Sequence, residues 1–225
     1  MEIIGYLASL IIGISLGLIG GGGSILTVPV LVYLMGVEPV LATAYSLFIV
    51  GSTSLVGALP KYKQGLVNLK TAIIFGAPSI LAVFATRKYI ITLIANEVFT
   101  IGDFVVTKSI LMMVLFAILM VFASISMIRT QKKPEENGNG VVEQKFNYPL
   151  ILIEGAIVGI LTGLVGAGGG FLIIPALVLL SKLPMKQAVG TSLLIIAAKS
   201  LIGFTGDLSH TTMDWKLLII VTALA

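Results

Sequence analysis

Gly17-Leu18-Ile19-Gly20-Gly21-Gly22-Gly23-Ser24 stands inside an apolar run that extends from Ile3 to about Met35. Glycine loses more backbone freedom on folding than any other residue, and each one in a helix interior costs roughly 0.5–1 kcal/mol relative to alanine. Four in succession predict a broken helix. As one straight helix the run would be about 50 Å long at about 1.5 Å per residue, against a hydrocarbon core of about 30 Å. It must tilt strongly, break or fold back. A second stretch, Gly163-Leu164-Val165-Gly166-Ala167-Gly168-Gly169-Gly170, lies in the apolar run from Pro149 to about Leu180 and predicts the same interruption.

Around these stretches the chain is 57% hydrophobic and 11% charged, with a mean hydropathy of +1.12; soluble domains carry roughly 25% charged residues. Several apolar runs exceed the roughly 20 residues that span a bilayer. The chain therefore reads as an all-α polytopic membrane protein, with the lipid bilayer as its surroundings. Met1-Glu2-Ile3-Ile4-Gly5 lacks the basic region of a signal peptide, and no A-x-A-like cleavage site follows, so the first run reads as a retained span. There is no cysteine, which excludes disulfides, thiolate metal sites and cysteine chemistry. The net charge of +4 is read by position, because Lys- and Arg-rich loops stay cytoplasmic, and not as a nucleic-acid signal.

The two glycine stretches superpose at an offset of 146 residues, Gly17 falling on Gly163. Without a gap, Pro29 falls on Pro175, Ser46 on Ser192, Ser54-Leu55 on Ser200-Leu201, Gly57 on Gly203 and Lys70 on Lys216. Shared apolar composition produces chance Leu and Ile matches, but not this register of Gly, Pro and Ser. The sequence thus predicts two homologous repeats of about four membrane segments each, with a glycine-interrupted first segment in each, as in many transporters.

In the first repeat, residues 1–128, the interrupted run is followed by spans at Pro39–Leu59, Leu69–Thr86 and Lys108–Ile128. Arg87-Lys88 ends the third of these four segments, and Tyr89–Val106 reads as interfacial or loop-like. Residues 129–148 form a hydrophilic linker, rich in Gly, Pro and mixed charge. The second repeat, 149–225, holds the interrupted run, a span at Met185–Thr205 and a last run from Trp215. That run stops at Ala225, equivalent to position 79, so the second repeat is expected to be incomplete and the chain a fragment.

Charge placement compares two topologies. If each interrupted segment crosses once, the amino-terminal side carries 8 of the loop Lys and Arg residues and the other side 5. If each folds back as a hairpin, Lys182 and Lys186 join Lys61, Lys63, Lys70, Arg129, Lys132, Lys133 and Lys145, and the split is 9 against 4. The hairpin form fits the positive-inside rule slightly better and gives inverted halves, with the linker cytoplasmic. The Lys61–Lys70 connection is basic whereas its partner carries Asp207, His210 and Asp214, which agrees with inversion. Parallel and inverted repeats both remain open on sequence.

A helix broken in mid-membrane exposes N–H groups that hydrocarbon cannot satisfy, so broken backbone must line a cavity or be buried in protein. A half-helix starting after Gly23 or Gly170 aims an amino terminus of about +0.5 charge at the break. Glycine lets an anion approach such a terminus closely. Gly20, Gly21, Gly22, Gly23, Gly166, Gly168, Gly169 and Gly170 are the candidate substrate cradle, with Ser24 and Thr27 as added hydroxyl donors. Lys199, well inside a predicted span, costs roughly 2.5–3.5 kcal/mol to insert and should face a cavity or a partner such as Asp207. Thr191, Ser192, Ser46, Ser52, Thr53, Ser54 and Ser200 lie on the spans beside the breaks. The alternative is that the glycines only pack helices and the hydroxyls only join them. No nucleophile–base arrangement, P-loop or dinucleotide fingerprint appears, so no enzymatic activity and no cofactor are read. Asp207, His210 and Asp214 make only a weak metal set.

These residues resemble a known family. Gly17–Ser24 with Pro29, Gly163–Gly170 with Pro175-Ala176-Leu177, and Ala188-Val189-Gly190-Thr191-Ser192 with Gly203-Phe204 look like the paired motifs of the sulfite exporter TauE/SafE family. The resemblance implies a bacterial or archaeal plasma-membrane permease of about eight spans. It would move small sulfur oxyanions or organosulfonates, such as sulfite or sulfoacetate. A coupling ion, H+ or Na+, and a homo-oligomer are compatible with that expectation. The competing class is a non-transporting membrane scaffold or assembly subunit.

Overall fold

The apolar runs fold as helices whose ends follow capping chemistry. In the computed structural model, residues 2–19, 24–95, 97–101, 104–130, 148–166, 168–179, 183–208 and 212–225 are described. Helix α1 (Glu2–Ile19) precedes Gly20–Gly23, which lie outside the described residues, and α2 (Ser24–Pro29) runs on into a π-turn at Val30–Leu34. Helix α3 (Pro39–Lys63) starts on a proline, and the Glu38 carboxylate accepts the Leu41 N–H at 3.0 Å, satisfying a donor the helix leaves free. Asn68 caps α4 (Leu69–Ala85) through the Thr71 N–H at 3.0 Å, and Asp214 caps α10 (Trp215–Leu224) through the Leu217 N–H at 3.1 Å. Between them come α6 (Lys108–Thr130), α7 (Tyr148–Val165), α8 (Gly170–Leu179) and α9 (Met185–Asp207).

Two expectations are corrected. The third segment does not end before Arg87: α4 continues through a π-turn at Thr86–Ile90 into α5 (Ile91–Leu93). Five residues in that turn rotate the chain relative to a 3.6-residue helix, and Arg87 is buried while Lys88 is exposed. The region expected to be interfacial or loop-like holds an antiparallel hairpin, β1 (Glu97–Ile101) and β2 (Phe104–Thr107), pairing Thr100 with Val105 and Ile101 with Phe104. Val98, Phe99, Thr100, Val105 and Val106 are β-branched or aromatic residues that suit strands, a signal outweighed at first by the polar residues around them.

Helices α3 and α9 pack along their length and run antiparallel. Gly190 approaches Lys61 and Leu66, Leu193 approaches Gly57, Leu201 approaches Gly51, and Gly203 approaches Leu47. A Cβ on Gly57 would lie 3.7 Å from Leu193 Cδ1, and one on Gly203 would lie 3.7 Å from Leu47 Cδ1. Helix α7 lies on α4 in the parallel sense, with Gly155, Gly159 and Gly163 set against Phe75, Ser79 and Thr86. Small residues at every fourth position let two backbones approach closely.

The faces turned outward are apolar. Leu81 is 71% exposed and Leu93 82%, with Leu7, Ile11, Ile118 and Phe122 also exposed. Such patches are a liability in water but are what hydrocarbon requires. Helices α3, Leu69–Leu93 and α9 are long and apolar enough to cross a membrane.

Candidate functional site

At the second glycine stretch the helix is broken. Helix α7 ends at Val165 and α8 begins at Gly170, and between them Gly166, Gly168 and Gly169 have φ of +73°, +63° and +72°. L side chains avoid this region at a cost of about 1–2 kcal/mol per residue. Space is equally restrictive. A Cβ on Gly166 would stand 2.4 Å from the Thr43 carbonyl oxygen, and one on Gly168 2.4 Å from Val50 Cγ1. One on Gly169 would stand 2.0 Å from Thr162 Cγ2 and 2.7 Å from Lys199 Nζ. The expected break is therefore present here, and its glycines are buried against α3, α7 and α9. Leu172 and Ile173 donate to the Gly169 carbonyl at 3.0 Å each. The N–H groups before them belong to the helix terminus, where no intrahelical acceptor exists.

The first glycine stretch and the Ser24 side chain lie outside what is described, but the half-helix after it is placed. Helix α2 packs on α8, and Ile25 and Val28 share an apolar cluster with Phe171 and Leu172. The half-helices following the two stretches thus meet. Thr27, on α2, is buried and its Oγ1 has no hydrogen-bond partner among the described residues.

Lys199 comes to the break from α9. It is fully buried, and its Nζ donates to Thr162 Oγ1 at 3.0 Å, on the last turn of α7. Among the described residues it has no carboxylate partner. The expected alternative pairing with Asp207 is not found; Asp207 Oδ2 lies 3.4 Å from Arg87 Nη1 instead. Arg87 Nη1 also donates to Thr43 Oγ1 at 3.0 Å, and Thr43 is the residue that borders Gly166. Among the described residues the buried charged side chains are Arg87, Lys199 and Asp207. Two basic side chains and one carboxylate are thus buried beside the broken helix.

Thr191 and Ser192 are placed apart from Lys199 and hold other partners. Thr191 Oγ1 accepts the Asn68 N–H at 2.9 Å, and Ser192 Oγ donates to the Val189 carbonyl at 2.9 Å. Both stand about two turns, roughly 12 Å, along α9 from Lys199. Ser46, Ser54 and Ser200 are buried with hydroxyls unpartnered among the described residues. Ser52 and Thr53 line a separate open cavity of about 440 Å³ with Gly13, Gly57, Leu193 and Thr222. His210 lies outside the described residues, and Asp207 and Asp214 are engaged with Arg87 and the α10 cap. Sequence reasoning missed Arg87, because a basic pair after an apolar run reads as the end of a span. The signal available was Asp207, a carboxylate in the last turn of another span.

A bundle of apolar helices with lipid-like outer faces, a broken helix inside and buried charge beside the break defines a helical integral membrane protein with a polar interior. The family model for the sulfite exporter TauE/SafE family matches residues 5–225, and the chain belongs to that family. Its relatives are named as transporters. A "Probable membrane transporter protein" of Xylella fastidiosa is 30% identical over 212 residues, covering 92% of this chain and 74% of its own. "Probable membrane transporter protein YunE" of Bacillus subtilis is 30% identical over 225 residues, with 89% and 75% covered. A relative of the same general name from Methanocaldococcus jannaschii is 30% identical over 209 residues, with 90% and 70% covered. No solved structure matches the chain.

Proposed function

We propose that the protein is a secondary transporter of small anions in the cell membrane, and that sulfur oxyanions or organosulfonates such as sulfite or sulfoacetate are its substrates. The observation that carries this reading is Lys199, a buried lysine set against a helix broken by glycines, without a carboxylate partner among the described residues. A buried charge is destabilising unless compensated, and an anion at the break supplies the compensation. The amino terminus of α8 and Thr162 complete the cradle, and Gly20–Gly23 with Ser24 are assigned to the same substrate from their match to the second stretch in the sequence. Thr191 and Ser192 join the path on release of their present hydrogen bonds. Membership of a transporter family supports the class, and the family description supports the sulfur oxyanion. H+ or Na+ is the proposed coupling ion.

The transport cycle in this reading rests on inverted repeats, 1–128 and 149–225, joined by the cytoplasmic linker. Several observations support it. Helices start at residues 2, 24, 39 and 69 and again at 148, 170, 185 and 215, the offset of 146 already seen in the sequence. Contacts are reciprocal: Asn68 N–H donates to Thr191 Oγ1, while Asp214 N–H, its counterpart, donates to Tyr45 Oη, the counterpart of Thr191. Reciprocal contacts of this kind belong to a two-fold axis. Because the counterparts α3 and α9 are antiparallel, that axis lies across the helices, in the membrane plane, which inverts one half relative to the other. Helix α7 runs parallel to α4 while α9 runs antiparallel to α3, so α7 and α8 leave and return to the same side as a hairpin.

The test is flux of radiolabelled sulfite and sulfoacetate into proteoliposomes. Saturable uptake that Lys199→Met weakens is the expected result. A purified, folded protein that moves no oxyanion under any gradient favours the scaffold instead.

A further inference from the structure

We propose that Arg87 is a second anion-binding residue, holding a substrate that presents two oxygens, such as a sulfite, sulfonate or carboxylate group, on the Nε–Nη2 edge of its guanidinium. This inference rests on the anion-transport reading and adds to it a residue and a recognition geometry.

Arg87 is 1% exposed, and its side-chain nitrogens divide into two groups. Nη1 is committed: it donates to Thr43 Oγ1 at 3.0 Å and lies 3.4 Å from Asp207 Oδ2. Nε and Nη2 are buried and have no partner among the described residues. These two nitrogens form the side edge of the planar group, with two N–H bonds pointing the same way, which matches two oxygens of one oxyanion. Leaving charged donors buried and unsatisfied is costly, and a ligand on this edge removes the cost. Asp207 and Thr43 meanwhile fix the plane of the group, so the fork is oriented before an anion arrives.

The position suits a station on the same path as Lys199. Thr43 borders Gly166 at one end of the glycine break, whereas Lys199 borders Gly169 at the other. Gly206 and Asp207 of α9 flank Arg87, eight residues along the helix from Lys199, or about 12 Å at about 1.5 Å per residue. An anion leaving the fork thus meets the ammonium two turns further along α9. A purely structural Arg87 would need only the positive charge that Nη1 already presents to Asp207 and Thr43, and a lysine would serve as well.

The experiment compares wild-type protein with Arg87→Lys, reconstituted in nanodiscs. Affinities for sulfite, sulfoacetate and chloride are read from the rise in melting temperature with concentration. Expected for Arg87→Lys is a melting temperature near that of wild type with oxyanion affinity lower by about tenfold or more, and chloride response unchanged. Equal oxyanion affinity in the two proteins overturns the fork while leaving the transport reading intact. No response of the wild type to any oxyanion overturns both. A second measurement needs no variant: the sequence has two arginines, Arg87 and Arg129, so phenylglyoxal modification of wild-type protein can be followed at each by mass spectrometry. Sulfoacetate, which unlike sulfite does not react with phenylglyoxal, should protect Arg87 and leave Arg129 unaffected. Modification of Arg87 that sulfoacetate does not slow, or no modification of Arg87 during turnover, counts against the assignment, because a transported anion's ligand must become reachable from water.

Discussion

Gly169→Ala tests the site at the backbone. The φ of Gly169 is +72°, which costs an alanine about 1–2 kcal/mol. Its Cβ would stand 2.0 Å from Thr162 Cγ2 and 2.7 Å from Lys199 Nζ, well inside contact distance, and overpacking of this kind adds typically about 1–3 kcal/mol. The two effects together give about 2–5 kcal/mol. Gly36 provides the control, since its φ is +70° but a Cβ there meets nothing within 4 Å. Gly36→Ala should therefore lose only the about 1–2 kcal/mol of backbone strain. Thermal unfolding in nanodiscs measures the stability difference, and uptake by proteoliposomes measures function. Gly169→Ala should be the less stable of the two. It should also lose anion uptake even at temperatures where it remains folded, because the methyl group displaces Lys199 from Thr162. Equal losses for the two variants, or full uptake by Gly169→Ala, would refute the claim that the glycine is there for the close approach of the ammonium.

Other outcomes follow from the same geometry. Lys199→Met removes a buried charge and should leave stability unchanged or raise it by up to about 2.5–3.5 kcal/mol, while anion affinity falls; unaltered uptake kinetics would take Lys199 out of the site. Asp207→Asn strands Arg87 beside a neutral partner and should destabilise the protein by about 3–5 kcal/mol, with the double variant Arg87→Met, Asp207→Leu recovering most of the loss in a thermal-unfolding cycle. Because the chain has no native cysteine, Gln64→Cys and Thr212→Cys can each be labelled alone with a membrane-impermeant maleimide. Inverted halves put them on opposite faces, and labelling from one face would rule that arrangement out.

Much of this protein is written in local pattern. Apolar length and sparse charge determine a membrane protein, since hydrocarbon admits little else. Capping by Glu38, Asn68 and Asp214 marks helix starts because each carboxylate or amide reaches an N–H three residues on. The break at Gly166–Gly169 was legible too, as glycine tolerates the backbone that other residues refuse. So was the burial of Lys199, from its place in the middle of an apolar span.

Tertiary structure alone decided who meets whom. Arg87 looked like a charge at the end of a span, and only the π-turn at Thr86–Ile90 together with the packing of α4 on α9 brings it to Asp207. Lys199 had Asp207 as its nearest acidic residue along the helix, yet the break in α7 delivers Thr162 instead. The antiparallel pairing of α3 with α9 likewise depends on both halves at once. These contacts join residues far apart in the chain, and no local periodicity carries information about a partner that only packing brings near.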